Sequence, residues 1–233
     1  MYDPLELSKI TEKLVTKELM KKYYRFRPAK FYGGISTADT VGCNLRCKFC
    51  WSGNSVWNAK NTGEFYSPED VAETLLNIAE AKRYNQIRVS GGEPTIGKNH
   101  LINLLNCIHP DKIFILETNG ILLGTDKRYI DDLSKFNTLH IRVCIKGIDP
   151  EEFSLLTGAE KGHEHQMKSL EYLRDSNISY NVALVTTKSN IEVFRDRLTD
   201  MGLGKVMLEL EDIKLYPQVK NRLEKEGLIK YFE

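Results

Sequence analysis

The sequence predicts an α/β fold in which strands and helices alternate around one mostly parallel sheet. Three observations predict it. Short apolar runs alternate with stretches whose apolar residues recur at helical spacing, giving about six β-α units. The runs read as strands buried on both faces, as parallel sheets require. The residues capable of chemistry stand just after those runs, at the strand ends where such folds gather function. So few units cannot close an eight-fold barrel, which leaves a partial barrel or an open sheet.

Each element has its own reason. Residues 8–30 carry many Lys and Arg and few acids, with Leu14, Leu19 and Met20 among them. They predict a surface helix that runs into a linker at Arg27-Pro28-Ala29-Lys30, so residues 1–33 form an N-terminal helical extension. That helix either covers the end of the barrel or offers a docking face to an acidic partner. Residues 34–41 predict a strand that leads into a cysteine loop. Ser67-Pro68-Glu69-Asp70 is a helix start, with an N-cap serine, proline in the first turn and acids at the positive helix end. Val71, Leu75, Ile78 and Ala79 continue that helix at the right spacing. Strands follow at 87–90, 112–117, 139–146, 180–186 and 206–210, the last continuing towards Tyr216. Helices fall between them at 98–107, 126–135, 163–176 and 190–201. Residues 34–217 make the core and 218–233 a C-terminal helical tail.

Composition narrows the function. The chain has 233 residues, of which 41% are hydrophobic, enough for one sizeable domain. Its net charge of +1 argues for neither nucleic acid nor a membrane surface as partner. No run approaches the roughly 20 apolar residues of a membrane span. The N-terminus MYDPLELSKITEK lacks the apolar core of a signal peptide. Three of the five cysteines are clustered, which is not a disulfide framework, and a reducing cytoplasm suits them.

The cluster is Cys43-Asn-Leu-Arg-Cys47-Lys-Phe-Cys50, a C-x3-C-x2-C run. Three thiolates can hold three irons of a [4Fe–4S] cube and leave the fourth iron open, whereas an electron carrier normally closes it. Structural zinc would need a fourth ligand. His163 and His165 are candidates, although they read more simply as the first turn of a helix. Cys107 and Cys144 are isolated, and Cys144 falls within a strand as a small buried residue or an unusual thiol near the site. Gly91-Gly92-Glu93-Pro94 lies at a strand end. The glycines let backbone approach a ligand, Glu93 offers an acceptor to a cation, and Pro94 stops the strand ladder.

Taken together, Cys43-x3-Cys47-x-Phe49-Cys50 and Gly91-Gly92-Glu93-Pro94 resemble the joint motif of radical S-adenosylmethionine (SAM) enzymes, and the resemblance covers roughly residues 34–215. It implies a partial (β/α)6 barrel. It implies that Cys43, Cys47 and Cys50 ligate a [4Fe–4S] cluster whose fourth iron is chelated by SAM. Gly91, Gly92 and Glu93 would take the SAM amino group, and Phe49 would pack near the adenine. One electron from the cluster would cleave SAM to a 5′-deoxyadenosyl radical that abstracts hydrogen from substrate. A reductant such as flavodoxin or ferredoxin would supply that electron.

Within the family, Ile145-Lys146-Gly147-Ile148-Asp149-Pro150 through Gly158, and Glu117-Thr118-Asn119-Gly120, resemble glycyl-radical-enzyme activating enzymes. That resemblance places Lys146, Glu117 and Asn119 beside SAM and makes a protein glycine the substrate. Two positions depart from the pattern. Cys144 stands where activating enzymes carry Asp, and Trp51-Ser52 stand where they carry His-Asn. A Cys-Trp end also occurs in tRNA wybutosine synthesis. The alternatives are therefore a small-molecule or tRNA-modifying radical SAM enzyme and, more remotely, a non-catalytic iron–sulfur module. The chain carries no second cysteine cluster of the kind that holds auxiliary iron–sulfur centres, and no cobalamin domain.

Overall fold

The computed structural model describes residues 1–232. Its strands are β1 (Thr16–Lys17), β2 (Met20–Ala29), β3 (Ile35–Thr40), β4 (Glu64–Tyr66), β5 (Gln86–Gly91), β6 (Ile113–Thr118), β7 (Leu139–Ile145), β8 (Ser179–Val185) and β9 (Leu208–Glu211). Its α-helices are α1 (Pro4–Val15), α2 (Asn54–Trp57), α3 (Pro68–Lys82), α4 (Lys98–Cys107), α5 (Ile121–Thr125), α6 (Lys127–Leu133), α7 (Pro150–Thr157), α8 (His163–Arg174), α9 (Ile191–Asp200) and α10 (Pro217–Lys225).

β3, β5, β6, β7, β8 and β9 lie side by side in that order, and every neighbouring pair is parallel. Strands added in chain order by helical crossovers keep their helices on one face, so the sheet curls instead of being covered on both sides. The result is the expected partial barrel, and no ladder joins β9 back to β3 among the described residues. The alternation within each strand divides the two faces. Ile87, Val89, Phe114, Leu116, Ile141, Val143, Val182 and Leu184 pack with Val71, Leu75, Leu101, Leu104, Leu170 and Phe194 from the helices. The intervening residues face the interior of the barrel.

The expected helix starts are present. Ser67 accepts from the Asp70 amide while Asp70 accepts from the Ser67 amide, a complete capping box at α3. Asp149 caps α7 in the same sense by accepting from Glu152 N. Three short helices, α2, α5 and α7, were not anticipated, and the last strand stops at Glu211 rather than continuing towards Tyr216.

The N-terminal reading needs correction. The helix ends at Val15, and residues 20–29 are a strand that pairs antiparallel with β1 and β3 along one edge and with β4 along the other. Tyr23, Tyr24 and Phe26 favour a pleated surface, while the many lysines suggested a solvated helix. Two of those lysines are buried. Lys21 is wholly inaccessible, and Lys22 donates to the carbonyls of Ala59 and Lys60. Their cationic ends are satisfied by backbone oxygens rather than by water.

β2 also carries a pH-sensitive contact. The buried His100 ring meets the Leu19 carbonyl at Nδ1 (2.6 Å) and Tyr23 Oη at Nε2 (2.9 Å). Burial lowers its pKa from 6.5 to about 4. Below pH 6.5 the unfolded chain therefore binds a proton that the folded chain refuses, so stability falls as pH falls. The loss expected from this ring is about 3 kcal/mol between pH 6.5 and 4. Thermal unfolding followed by circular dichroism should show Tm falling over that window, with a smaller fall in His100→Gln.

Candidate functional site: a cysteine loop bound to a glycine turn

The cysteine loop leaves β3 through Val41 and Gly42 and is held from four directions. Gly42 N donates to the Ser55 carbonyl (2.7 Å) and Lys48 N to that of Leu156 (2.8 Å). Arg46 N donates to Tyr2 Oη (2.6 Å). From α10, the Arg222 guanidinium donates to the carbonyls of Lys48 (2.7 Å) and Cys50 (2.6 Å) and lies 4.3 Å over the Trp57 ring. Leu45, Cys47 and Phe49 pack in a small core with Phe153, Leu156, Val219 and Leu223.

The glycine turn closes directly on this loop. Gly92 N donates to Thr40 O (2.9 Å) and Glu93 N to Gly42 O (2.7 Å). A Cβ on Gly92 would stand 2.0 Å from the Gly42 carbonyl oxygen, and one on Gly91 2.7 Å from Thr40 N. Gly91 also sits at φ +95°. Only glycine permits this approach. Gly92 O accepts no hydrogen bond among the described residues, while Gly91 O accepts from Ser52 Oγ (3.2 Å).

Glu93 is buried. Its Oε1 accepts from Thr95 N (3.0 Å), Thr95 Oγ1 (2.6 Å) and Thr118 Oγ1 (2.7 Å), and its Oε2 from Asn119 N (2.8 Å). The carboxylate therefore ties β5 to the end of β6, and Oε2 keeps acceptor capacity for a further donor. Asn119 continues the link. Its Nδ2 donates to Asn44 Oδ1 (2.7 Å) and lies 3.9 Å from Cys43 Sγ, and its Oδ1 accepts from Ile121 N to cap α5. Cys43, Glu93, Gly91, Gly92 and Asn119 thus form one connected group. Lys146, at the end of β7, holds its ammonium 5.9 Å from the Phe49 ring centroid, and Phe49 also packs against Phe232.

The donor set fits an iron–sulfur cube. Burial pushes the Cys43 and Cys47 thiols up, Cys47 to about 12, so binding iron would release protons. Leu45 N donates to Cys43 Sγ (3.4 Å), the kind of contact that tunes a cluster. Among the described residues no three His, Cys, Asp or Glu side chains converge on a single-ion site. A cube takes each thiolate on its own iron and needs no such convergence. His163 is no zinc ligand here: it is buried edge-on against Phe153, with centroids 6.0 Å apart.

The inner face of the sheet carries a charged network. Arg88 and Arg142 are buried on the inner face. Arg88 Nη1 donates to Glu117 (3.1 Å), and Arg142 meets Glu209 (2.8 Å) and Glu211 (2.7 Å). Asp39, fully buried, pairs with Arg25 (2.7 Å) and Arg27 (3.2 Å). Glu117 therefore belongs to this network. Cys144 belongs to it as well, with Sγ 3.3 Å from Arg142 Nη1, and so it is not an apolar filler. Sequence reasoning passed over Arg88, Arg142, Glu209 and Glu211. The available signal was alternation: polar and charged residues at every second position in His-Ile-Arg-Val-Cys-Ile-Lys and Leu-Glu-Leu-Glu.

Comparison with known proteins gives this geometry a context. Residues 38–200 match the family model described as the radical SAM superfamily. The chain is 28% identical over 193 residues to a probable GTP 3′,8-cyclase of Methanosarcina mazei, covering 77% of this chain and 54% of that one. Other matching relatives carry the same cyclase name. It is 27% identical over 156 residues to a putative glycyl-radical enzyme activating enzyme of Methanocaldococcus jannaschii, covering 64% of this chain and 56% of that one. The chain thus spans a little over half the length of the Methanosarcina and Methanocaldococcus relatives. Its fold is that of Streptococcus suis SuiB bound to S-adenosylmethionine, at TM-score 0.60 and 19% identity over 82% of this chain and 45% of that one. No helix among the described residues is long and apolar enough to cross a membrane.

The contact between turn and loop is testable. Gly92→Ala should leave the far-ultraviolet circular dichroism unchanged and speed loss of reconstituted iron to a chelator, with affinity lowered on the order of tenfold or more. Arg222→Ala should act in the same direction and more weakly.

Proposed function

This chain belongs to the radical SAM superfamily, and we propose that it cleaves SAM reductively to abstract hydrogen from a small polar molecule held in the barrel. Its cofactors are a [4Fe–4S] cluster and SAM. When bound, a cluster reduced by an external donor would supply the electron that turns SAM into a hydrogen-abstracting reagent. Cys43, Cys47 and Cys50 would hold the cluster. Gly92 O and Glu93 Oε2 would accept from the SAM ammonium, and Asn119 keeps Glu93 and the Cys43 loop in register. Lys146 and Phe49 border the same space. The walls exclude water and fix the donor C–H near the reactive carbon.

The observation that carries the substrate class is the charged network of Arg88, Arg142, Glu117, Glu209 and Glu211. Two buried guanidiniums beside partly exposed carboxylates match a compact molecule with several polar groups. An extended peptide would bring mostly amides to such a wall. The relatives support this reading, since several are named for a reaction of GTP and one for activation of a glycyl-radical enzyme. The activating-enzyme reading therefore yields to the small-molecule one. The stretch that suggested it has structural employment: Glu152 accepts from Ile148 N, Thr187 Oγ1 and Ser189 Oγ. GTP serves as the first probe in a panel of purine nucleotides, because several relatives are named for its cyclisation.

The test is anaerobic reconstitution, reduction and addition of SAM. 5′-Deoxyadenosine should form, rise in rate with the right nucleotide, and carry deuterium from labelled substrate. Cys47→Ala should abolish it. Arg142→Met should lower substrate-stimulated turnover by about 10- to 100-fold while slow, substrate-free cleavage persists. Stimulation by a protein partner and by no small molecule would sink the reading.

A further inference from the structure

Lys21 is completely buried on β2, outside the six parallel strands. Its ammonium donates to the carbonyls of Glu93 (3.1 Å) and Pro94 (2.9 Å) and to that of Ile96. A lysine ammonium has three donors and no acceptor, and three carbonyls answer them one for one. All three carbonyls belong to the turn that begins Gly91-Gly92. The remaining one, Thr95 O, accepts from Tyr129 Oη (2.9 Å). From Glu93 to Ile96, every backbone carbonyl is thus engaged by a donor from a distant element. Gly92 O, one residue upstream, is left without a donor among the described residues.

This pattern is more than a dock for a hairpin. A turn of consecutive carbonyls offers a cation several competing acceptors. With Glu93, Pro94, Thr95 and Ile96 occupied from the core side, the acceptors remaining at the turn are Gly92 O and Glu93 Oε2. We propose that Lys21 is a positioning residue for SAM. Its tripod of hydrogen bonds sets the conformation in which the Gly92 carbonyl and the Glu93 carboxylate receive the SAM ammonium. The proposal rests on the reading that this turn binds SAM. It makes the N-terminal hairpin, which lies outside the parallel barrel, part of the cofactor site.

The full-length chain, reconstituted anaerobically, tests this in Lys21→Met and Lys21→Gln. Iron content, the visible spectrum without SAM and the thermal unfolding profile identify a folded, loaded protein. In at least one variant these should match the parent, while the SAM concentration for half-maximal 5′-deoxyadenosine formation rises about 10- to 100-fold. The maximal rate should change by less than about threefold, the pattern of lost ground-state binding. The change that SAM induces in the electron paramagnetic resonance spectrum of the reduced cluster should need correspondingly more SAM. Lys21→Arg, which keeps charge and donors, should recover part of the loss. Unchanged SAM dependence in a folded variant overturns the proposal, and so does loss of fold or cluster in both, since Lys21 is then only structural. A parent spectrum that does not respond to SAM would refute the underlying reading instead.

Discussion

The structure depends on the contact between Gly42 and Gly92. There the loop after the first parallel strand and the turn after the second approach so closely that a single methyl group would overlap a carbonyl oxygen. Two backbone hydrogen bonds, Gly92 to Thr40 and Glu93 to Gly42, cross the contact. Cys43 is the next residue after Gly42. Its position is therefore set by the same backbone that presents the cation acceptors. The proposed cluster ligands and the proposed SAM acceptors are two sides of one junction. A site that must hold two cofactors at bonding distance requires such preorganisation.

Glu93 extends the junction sideways. With four donors on one buried carboxylate, it joins β5 to β6, and Asn119 returns the connection to the cysteine loop. A buried carboxylate is tolerable only when its lone pairs are met, and the threonines that meet them, Thr95 and Thr118, stand at the ends of the segments being joined. Lys21 and Arg222 act on the outer sides, one on the carbonyls of the glycine turn and the other on those of the cysteine loop. Both come from elements flanking the parallel barrel. The cysteine loop and the glycine turn belong to the barrel, and the cations that fix them come from its two flanking segments.

Much of this was legible in the sequence. Apolar runs and helical spacing located every parallel strand and the major helices, because burial on both faces of a parallel sheet leaves a strong local signal. The cysteine and glycine motifs announced themselves by spacing. The N-terminal strand was misread because lysine density usually marks a solvated face. The fact that makes Lys21 and Lys22 buryable, a set of carbonyls some forty to seventy residues away, has no local trace. The polar residues of the charged network were visible as alternation, but their pairing was not. Arg142 finds Glu209 and Glu211 only because β9 lies two strands away across β8.

By itself, the sequence determined the class of fold, three closely spaced thiols and the glycine turn that meets their loop. These follow from short-range rules: side-chain periodicity, thiol spacing and the steric freedom of glycine. Tertiary structure alone decided which acceptors of that turn stay open, which cations hold it, and which charged groups pair on the inner face of the sheet. Those properties depend on groups far apart in the chain, and only the curl of the sheet brings them within hydrogen-bonding distance.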